Sequence, residues 1–79
     1  MKIKLLVFGI LTDIFGSSSL EISLENQMTV GDLKTFINKN YSRAKGLNFA
    51  VAIDETYATD TTVINKNNVV ALIPPVSGG

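Results

Sequence analysis

The chain has 79 residues, with seven basic and seven acidic side chains, no cysteine and no histidine. A single domain of this length buries about 60–65% of its extended-chain surface, and without Cys or His it lacks disulfides, thiolate or Ser-His nucleophiles, imidazole acid–base groups and the usual zinc ligands. Balanced charge without a Lys/Arg stripe argues against a nucleic-acid or anionic-membrane partner, and no apolar run approaches the roughly 20 residues that span a bilayer.

Taken in chain order, Ile3, Leu5 and Val7 alternate with Lys2, Lys4, Leu6 and Phe8, which predicts a first strand whose outer face begins polar and ends apolar. The apolar stretch at Met1–Phe8 is short and lacks a small-residue cleavage site, so it reads as this strand rather than a signal segment, and a cytoplasmic address is expected. Leu11-Thr12-Asp13-Ile14-Phe15-Gly16 predicts one helical turn with a glycine stop. Leu20, Ile22 and Leu24 alternate with Ser19, Glu21, Ser23 and Glu25, a half-buried strand expected to pair with the first.

Thr29 followed by Asp32 has the spacing of a capping box, with Asp in place of Glu or Gln. Val30, Leu33, Phe36, Ile37 and Tyr41 then recur every three or four residues, so a helix over about 29–40 lays one apolar stripe on a sheet, ending at Asn40 or Gly46. Phe49–Ile53 reads as a strand buried on both faces, followed by a turn at Asp54-Glu55. Val63-Ile64 is a short apolar patch before the Asn65–Asn68 turn. Val69–Ile73 is a near-continuous apolar strand expected at the centre of the sheet beside the first. Two strands, a helix across them and later strands returning to the centre describe an α+β protein of β-grasp, ubiquitin-like topology, with four to five strands in a mixed sheet. The domain is expected over 1–73 and a tail over 74–79.

That tail is Pro74-Pro75-Val76-Ser77-Gly78-Gly79. The prolines fix φ and remove two donors, which ends strand pairing and directs the chain away from the body. Gly78 and Gly79 have no Cβ and pass where side chains clash. Four residues beyond Pro75 reach roughly 13 Å at about 3.3 Å each, enough to enter a deep pocket in another protein. The terminal carboxylate of Gly79 is then the deliverable group.

Phe49-Ala50-Val51-Ala52-Ile53-Asp54 and Val69-Val70-Ala71-Leu72-Ile73-Pro74-Pro75-Val76-Ser77-Gly78-Gly79 resemble the MoaD family of ubiquitin-like sulfur carriers, the small subunits of molybdopterin synthase. The likeness extends over nearly the whole chain, including Phe8-Gly9 and Ile14-Phe15-Gly16, and is sharpest in PPVSGG. It implies that Gly79 is adenylated by a ubiquitin-activating-type enzyme, converted to a thiocarboxylate and inserted into the large subunit to thiolate cyclic pyranopterin monophosphate in molybdenum cofactor biosynthesis. It further implies two carriers at opposite ends of a large-subunit dimer. ATP and Mg²⁺ belong to the activating enzyme, a separate donor supplies sulfur, and this chain itself holds no cofactor or metal. Asn65–Asn68, where relatives often carry an acidic, glycine-containing turn, and Asp54, where they often carry Asn, depart from the family pattern and bear on charge complementarity with the partners.

The partner surface is expected to comprise Leu6 and Phe8 on the first strand, Leu72 facing outward on the last, and the exit through Ile73, Pro74, Pro75, Val76 and Ser77. For Phe8 the alternative is a small second core under Ile14 and Phe15. Asp54 and Glu55 read as a solvated turn, Asp13 and Asp32 as turn and cap residues, Lys2, Lys4, Lys34 and Lys39 as solvated faces, and Thr59–Thr62 as a hydroxyl-rich turn or the cap of a short helix. Other readings of the chain are a sulfur carrier for the thiamine or tungsten-cofactor pathway, a protein modifier joined to lysine through Gly79, and an interaction module whose diglycine is idle. The double proline speaks for the molybdopterin type over the thiamine type.

Overall fold

The computed structural model describes residues 2–24 and 26–75. Strand β1 (Lys2–Val7) turns every second residue inward, so Ile3, Leu5 and Val7 are buried while Lys2 and Lys4 are exposed. Helix α1 (Ile10–Phe15) stops at Gly16, whose left-handed φ of 75° lets its N–H donate to the Thr12 carbonyl at 2.8 Å. Strand β2 (Ser19–Ser23) then returns antiparallel to β1, with Ile3 opposite Ile22 and Leu5 opposite Leu20.

A two-residue strand, β3 (Met28–Thr29), leads into α2 (Val30–Asn40). The expected capping box forms: Asp32 N–H donates to Thr29 Oγ1 at 3.2 Å, and Thr29 N–H donates to Asp32 Oδ2 at 3.1 Å. Val30, Leu33 and Ile37 are fully buried against the sheet, while Phe36 and Tyr41 flank the stripe and Tyr41 caps the helix end. Phe15 of α1 meets Tyr41 with ring centroids 4.3 Å apart. A 3-10 turn at Ser42–Ala44 follows, and then β4 (Ala50–Ile53), β5 (Thr56–Tyr57), β6 (Val63–Ile64) and β7 (Val69–Ile73).

The main sheet has the order β2-β1-β7-β4-β5, and β3 pairs with β6 as a separate two-stranded ladder. β1 and β7 are parallel and the other pairs antiparallel. Helix α2 lies against one face and leaves the other open, which is the expected β-grasp architecture. The start of α2 is also tied to the loop before β6, since Val30 N–H donates to Thr62 O and Gly31 N–H to Asp60 O, both at 2.9 Å. Lys34 Nζ adds an ion pair to Asp60 at 2.7 Å. Of the two readings of Thr59–Thr62 the structure has the hydroxyl-rich turn, with Thr62 Oγ1 accepting from Thr59 N–H at 3.2 Å.

Leu72 corrects one expectation. It lies opposite inward-facing Val7 and Val51 in the ladders and is fully buried, so it belongs to the core and not to a partner surface. Val69, Ala71 and Ile73 take the outer positions of β7 instead. The other difference concerns the two-residue strands β3, β5 and β6, which are too short to carry a period. Burying a Leu or Val side chain fully stabilises by about 1.5–3 kcal/mol, and deleting a buried Leu side chain to Ala costs about 2–5 kcal/mol. Leu72→Ala is therefore expected to lower the melting temperature by at least about 10 °C in a thermal melt followed by circular dichroism. Thr29→Ala, which removes only the cap, costs about 1 kcal/mol and a fall of about 4–8 °C.

Candidate functional site

The open face of the sheet is set by strand parity. Lys4 stands beside Val69 and Leu6 beside Ala71 in the parallel ladder, Ala71 lies opposite Ala52, and Ala52 opposite Tyr57. These positions share the face away from α2. Phe8, just past β1, is 49% exposed, which rules out the small second core proposed for it; Ile14 and Phe15 pack instead against the main core. Leu6, Phe8, Val69 and Ala71 line a shallow depression of about 450 Å³, bordered by Asp54 and Glu55. Tyr57, 72% exposed, stands on the same face. Large apolar side chains grouped on a surface mark association sites, and aromatic anchors carry much of the binding energy.

Tyr57 and Ala71 are members of this face that sequence reasoning missed. The signal for Tyr57 is the two-residue turn at Asp54-Glu55: it pairs Ile53 with Thr56 and hence Ala52 with Tyr57. Asp54 and Glu55 are exposed, as expected of a turn, but Asp54 also fastens it. Its Oδ1 accepts from Val69 N–H at 2.9 Å, its Oδ2 from Asn68 Nδ2 at 2.7 Å, and its own N–H donates to Val69 O at 2.9 Å.

The chain leaves the sheet beside this face. After Ile73, the Pro74 ring sits where residue 9 has no side chain: a Cβ on Gly9 would lie 2.9 Å from Pro74 Cγ. Gly9 has φ 56° and ψ −134°, the first central position of a type II′ turn, and the turn is closed by Leu11 N–H donating to Phe8 O at 3.1 Å. The Gly9 carbonyl accepts from both Thr12 N–H at 3.1 Å and Thr12 Oγ1 at 2.8 Å, so the seat for Pro74 is itself pinned. Pro75 is exposed at the start of the exit. Val76, Ser77, Gly78 and Gly79, the remainder of the expected tail, lie outside the described residues.

No group of three or more acidic side chains among the described residues is placed to hold a metal ion. No helix among them is long and apolar enough to cross a membrane. The Lys2–Glu21 contact at 3.8 Å joins two exposed side chains and is a weak surface pair.

A five-stranded mixed sheet with one helix across it and a proline-led exit from its central strand defines a ubiquitin-like β-grasp protein. A family model described as the ThiS family matches residues 5–79, and the chain belongs to that family. Solved structures show the same fold. A Pyrococcus furiosus protein assigned as molybdopterin converting factor, subunit 1, superposes with a TM-score of 0.86 at 23% identity, over 96% of this chain and 99% of that one. Small archaeal modifier protein 1 of Haloferax volcanii superposes with a TM-score of 0.79 at 18% identity, over 95% and 98%. A complex of subunits 1 and 2 of the Helicobacter pylori molybdopterin-converting factor matches at 0.68 and 20% identity, over the full length of both chains. The fold is thus that of ThiS- and MoaD-type carriers.

Because Phe8 and Tyr57 lie outside the core, Phe8→Ala and Tyr57→Ala are each expected to stay within about 0.5 kcal/mol of wild-type stability by denaturant unfolding. The double variant is expected to weaken binding of a partner that docks on this face by 10-fold or more, roughly the effect of one hot-spot side chain, read by titration calorimetry.

Proposed function

We propose that this protein is the sulfur-carrying small subunit of a molybdopterin synthase, with the carboxylate of Gly79 as the carrying group. The observation that carries this reading is the placement of the exit. Pro74 is seated on Gly9 at the end of the open face that carries exposed Phe8 and Tyr57, so a partner gripping these two also receives the chain that leads to Val76-Ser77-Gly78-Gly79.

The chemistry suits a chain without Cys or His. A carboxylate is a poor acyl donor, because its anion repels nucleophiles and its leaving group is an oxide. Attack of the Gly79 carboxylate on the α-phosphorus of ATP gives an acyl adenylate and pyrophosphate. A sulfide equivalent then adds to the acyl carbon and expels AMP, leaving a thiocarboxylate with a nucleophilic sulfur. In this reading the adenylating partner supplies nucleotide, Mg²⁺ and acid–base groups, a separate donor supplies the sulfur, and the large subunit supplies the catalytic side chains that thiolate cyclic pyranopterin monophosphate. Leu6, Phe8, Ile73, Pro74, Pro75, Val76 and Ser77 serve docking and threading. Two such carriers at opposite ends of a large-subunit dimer complete the assembly.

The test is tandem mass spectrometry after incubation with ATP, Mg²⁺, the cognate adenylating enzyme and a sulfide source. Replacement of one C-terminal oxygen by sulfur at Gly79 is expected, followed by its loss when the large subunit and cyclic pyranopterin monophosphate are added. Fragment ions must locate the sulfur, because oxidation of Met1 or Met28 changes the mass almost equally. An unmodified Gly79, with the enzyme active on another carrier, overturns the proposal. A thiocarboxylate that is consumed only by a thiamine-pathway acceptor reassigns the pathway, and an isopeptide adduct to lysine marks a modifier.

A further inference from the structure

The turn that borders the apolar depression is built from the wrong residue for its backbone. Ile53 pairs with Thr56 across a two-residue loop, and Asp54 and Glu55 have φ of 48° and 71°, the signature of a type I′ turn. That turn favours Asn-Gly or Asp-Gly because both central residues are left-handed. Asp54 fits, since a short polar side chain tolerates this region and here bonds to Asn68 and Val69. Glu55 does not fit: it bears a Cβ and a long side chain where glycine is preferred. Unlike Asp54, its carboxylate takes part in no hydrogen bond or ion pair among the described residues. Backbone strain of this kind persists where surrounding structure enforces it and gathers at functional sites.

Glu55 lines the same depression as Leu6, Phe8, Val69 and Ala71, and Asp54 is the other charged residue there. Asp54 is charged there too, but its carboxylate is held in place by Asn68 Nδ2 and Val69 N–H, so Glu55 is the carboxylate of the depression that is free to swing toward a partner's cation. We propose that Glu55 is a specificity-determining residue of the docking face, and that the partner presents an apolar side chain to the depression beside a Lys or Arg that meets the Glu55 carboxylate. This rests on the reading of the open face as the large-subunit docking surface. A cation brought next to an apolar floor is partly desolvated, so its pairing with Glu55 rejects partners with neutral or acidic groups there more than it adds to affinity.

The backbone conformation makes the proposal separable from a structural role, because the two predict opposite signs. Replacing Glu55 by glycine relieves the left-handed residue, so Glu55→Gly is expected to melt at or above the wild-type temperature. The same variant is expected to bind the cognate large subunit about 5-fold more weakly at low ionic strength, the upper end for a single charge pair near a surface. It is also expected to lose part of the wild-type salt dependence. Glu55→Lys places like charges together and is expected to weaken binding about 30-fold or more. Glu21→Lys makes the same change of net charge on the same sheet face but outside the depression, and is expected to bind as wild type.

Titration calorimetry of the full-length chains at low and high salt, with thermal melts of each variant, reads all of these. If Glu55→Gly and Glu55→Lys both bind within about twofold of wild type, or if Glu21→Lys weakens binding as much as Glu55→Lys, the inference is overturned while the proposed function stands. A wild-type protein that fails to bind the large subunit overturns both.

Discussion

The parallel pairing of β1 with β7 is the constraint on which both faces of this molecule depend. Side chains alternate along a strand, so a ladder fixes parity for every residue it includes. Opposing Leu5 to Val70 and Val7 to Leu72 sends all four inward under α2, and the same register sends Leu6, Val69 and Ala71 outward. A slip of one residue would bury Ala71 and expose Leu72, losing core volume and filling the depression at once. The ladder also determines where the chain leaves. Pro74 has no N–H to continue it, and past Val7 the neighbouring strand turns away through Gly9, so the last strand departs over the gap that a missing side chain provides. Core, open apolar face and exit are three consequences of one register.

Much of this was legible in the sequence because local signals agreed with the global fold. The alternation of Ile3, Leu5 and Val7, the alternation of Leu20 and Ile22, and the stripe Val30, Leu33, Ile37 each state an element and its buried side. The Thr29–Asp32 box marks the helix start to the residue. Leu72 was misread for a definite reason. Val69–Ile73 is apolar throughout, so nothing in it distinguishes its two faces; only pairing with β1 and β4, distant in the chain, does so. Tyr57 escaped notice because a two-residue strand has no period, and its face follows from counting across the turn at Asp54-Glu55. The roles of Gly9 and Asp54 are non-local in the same way: one requires Pro74 and the other Asn68 and Val69, and no spacing in the sequence announces those meetings.

A carrier whose reacting group is its own carboxylate, the role proposed above for this chain, places unusual demands on a small domain. It needs no pocket for substrate and no perturbed side chain, but it must be gripped firmly enough that a thin backbone segment enters another protein's active site in one orientation. Rigidity near the exit serves this need. The turn at Phe8–Leu11 is closed by a backbone hydrogen bond and capped twice by Thr12, and the turn at Asp54-Glu55 is fastened to the first residue of β7. The first lies beside the exit and the second at the opposite end of β7, so the apolar depression between them is held at both ends.

An apolar face on a free-standing sheet invites association of the wrong kind, and the rim of this one limits it. Lys2, Lys4 and Glu21 occupy the outer positions at the far end of β1 and on β2, and Asp54 and Glu55 stand beside the depression. Two copies meeting face to face would have to partly desolvate these charges or pair them anew, which opposes contact that is not matched in charge. The outer edge of the sheet at β5 is only two residues long, leaving little ladder for another chain to extend. Of these, Glu55 beside the depression is the one proposed above to select a partner as well. Affinity can then reside in a few apolar side chains, while the choice of partner is made by the charged groups at their margin.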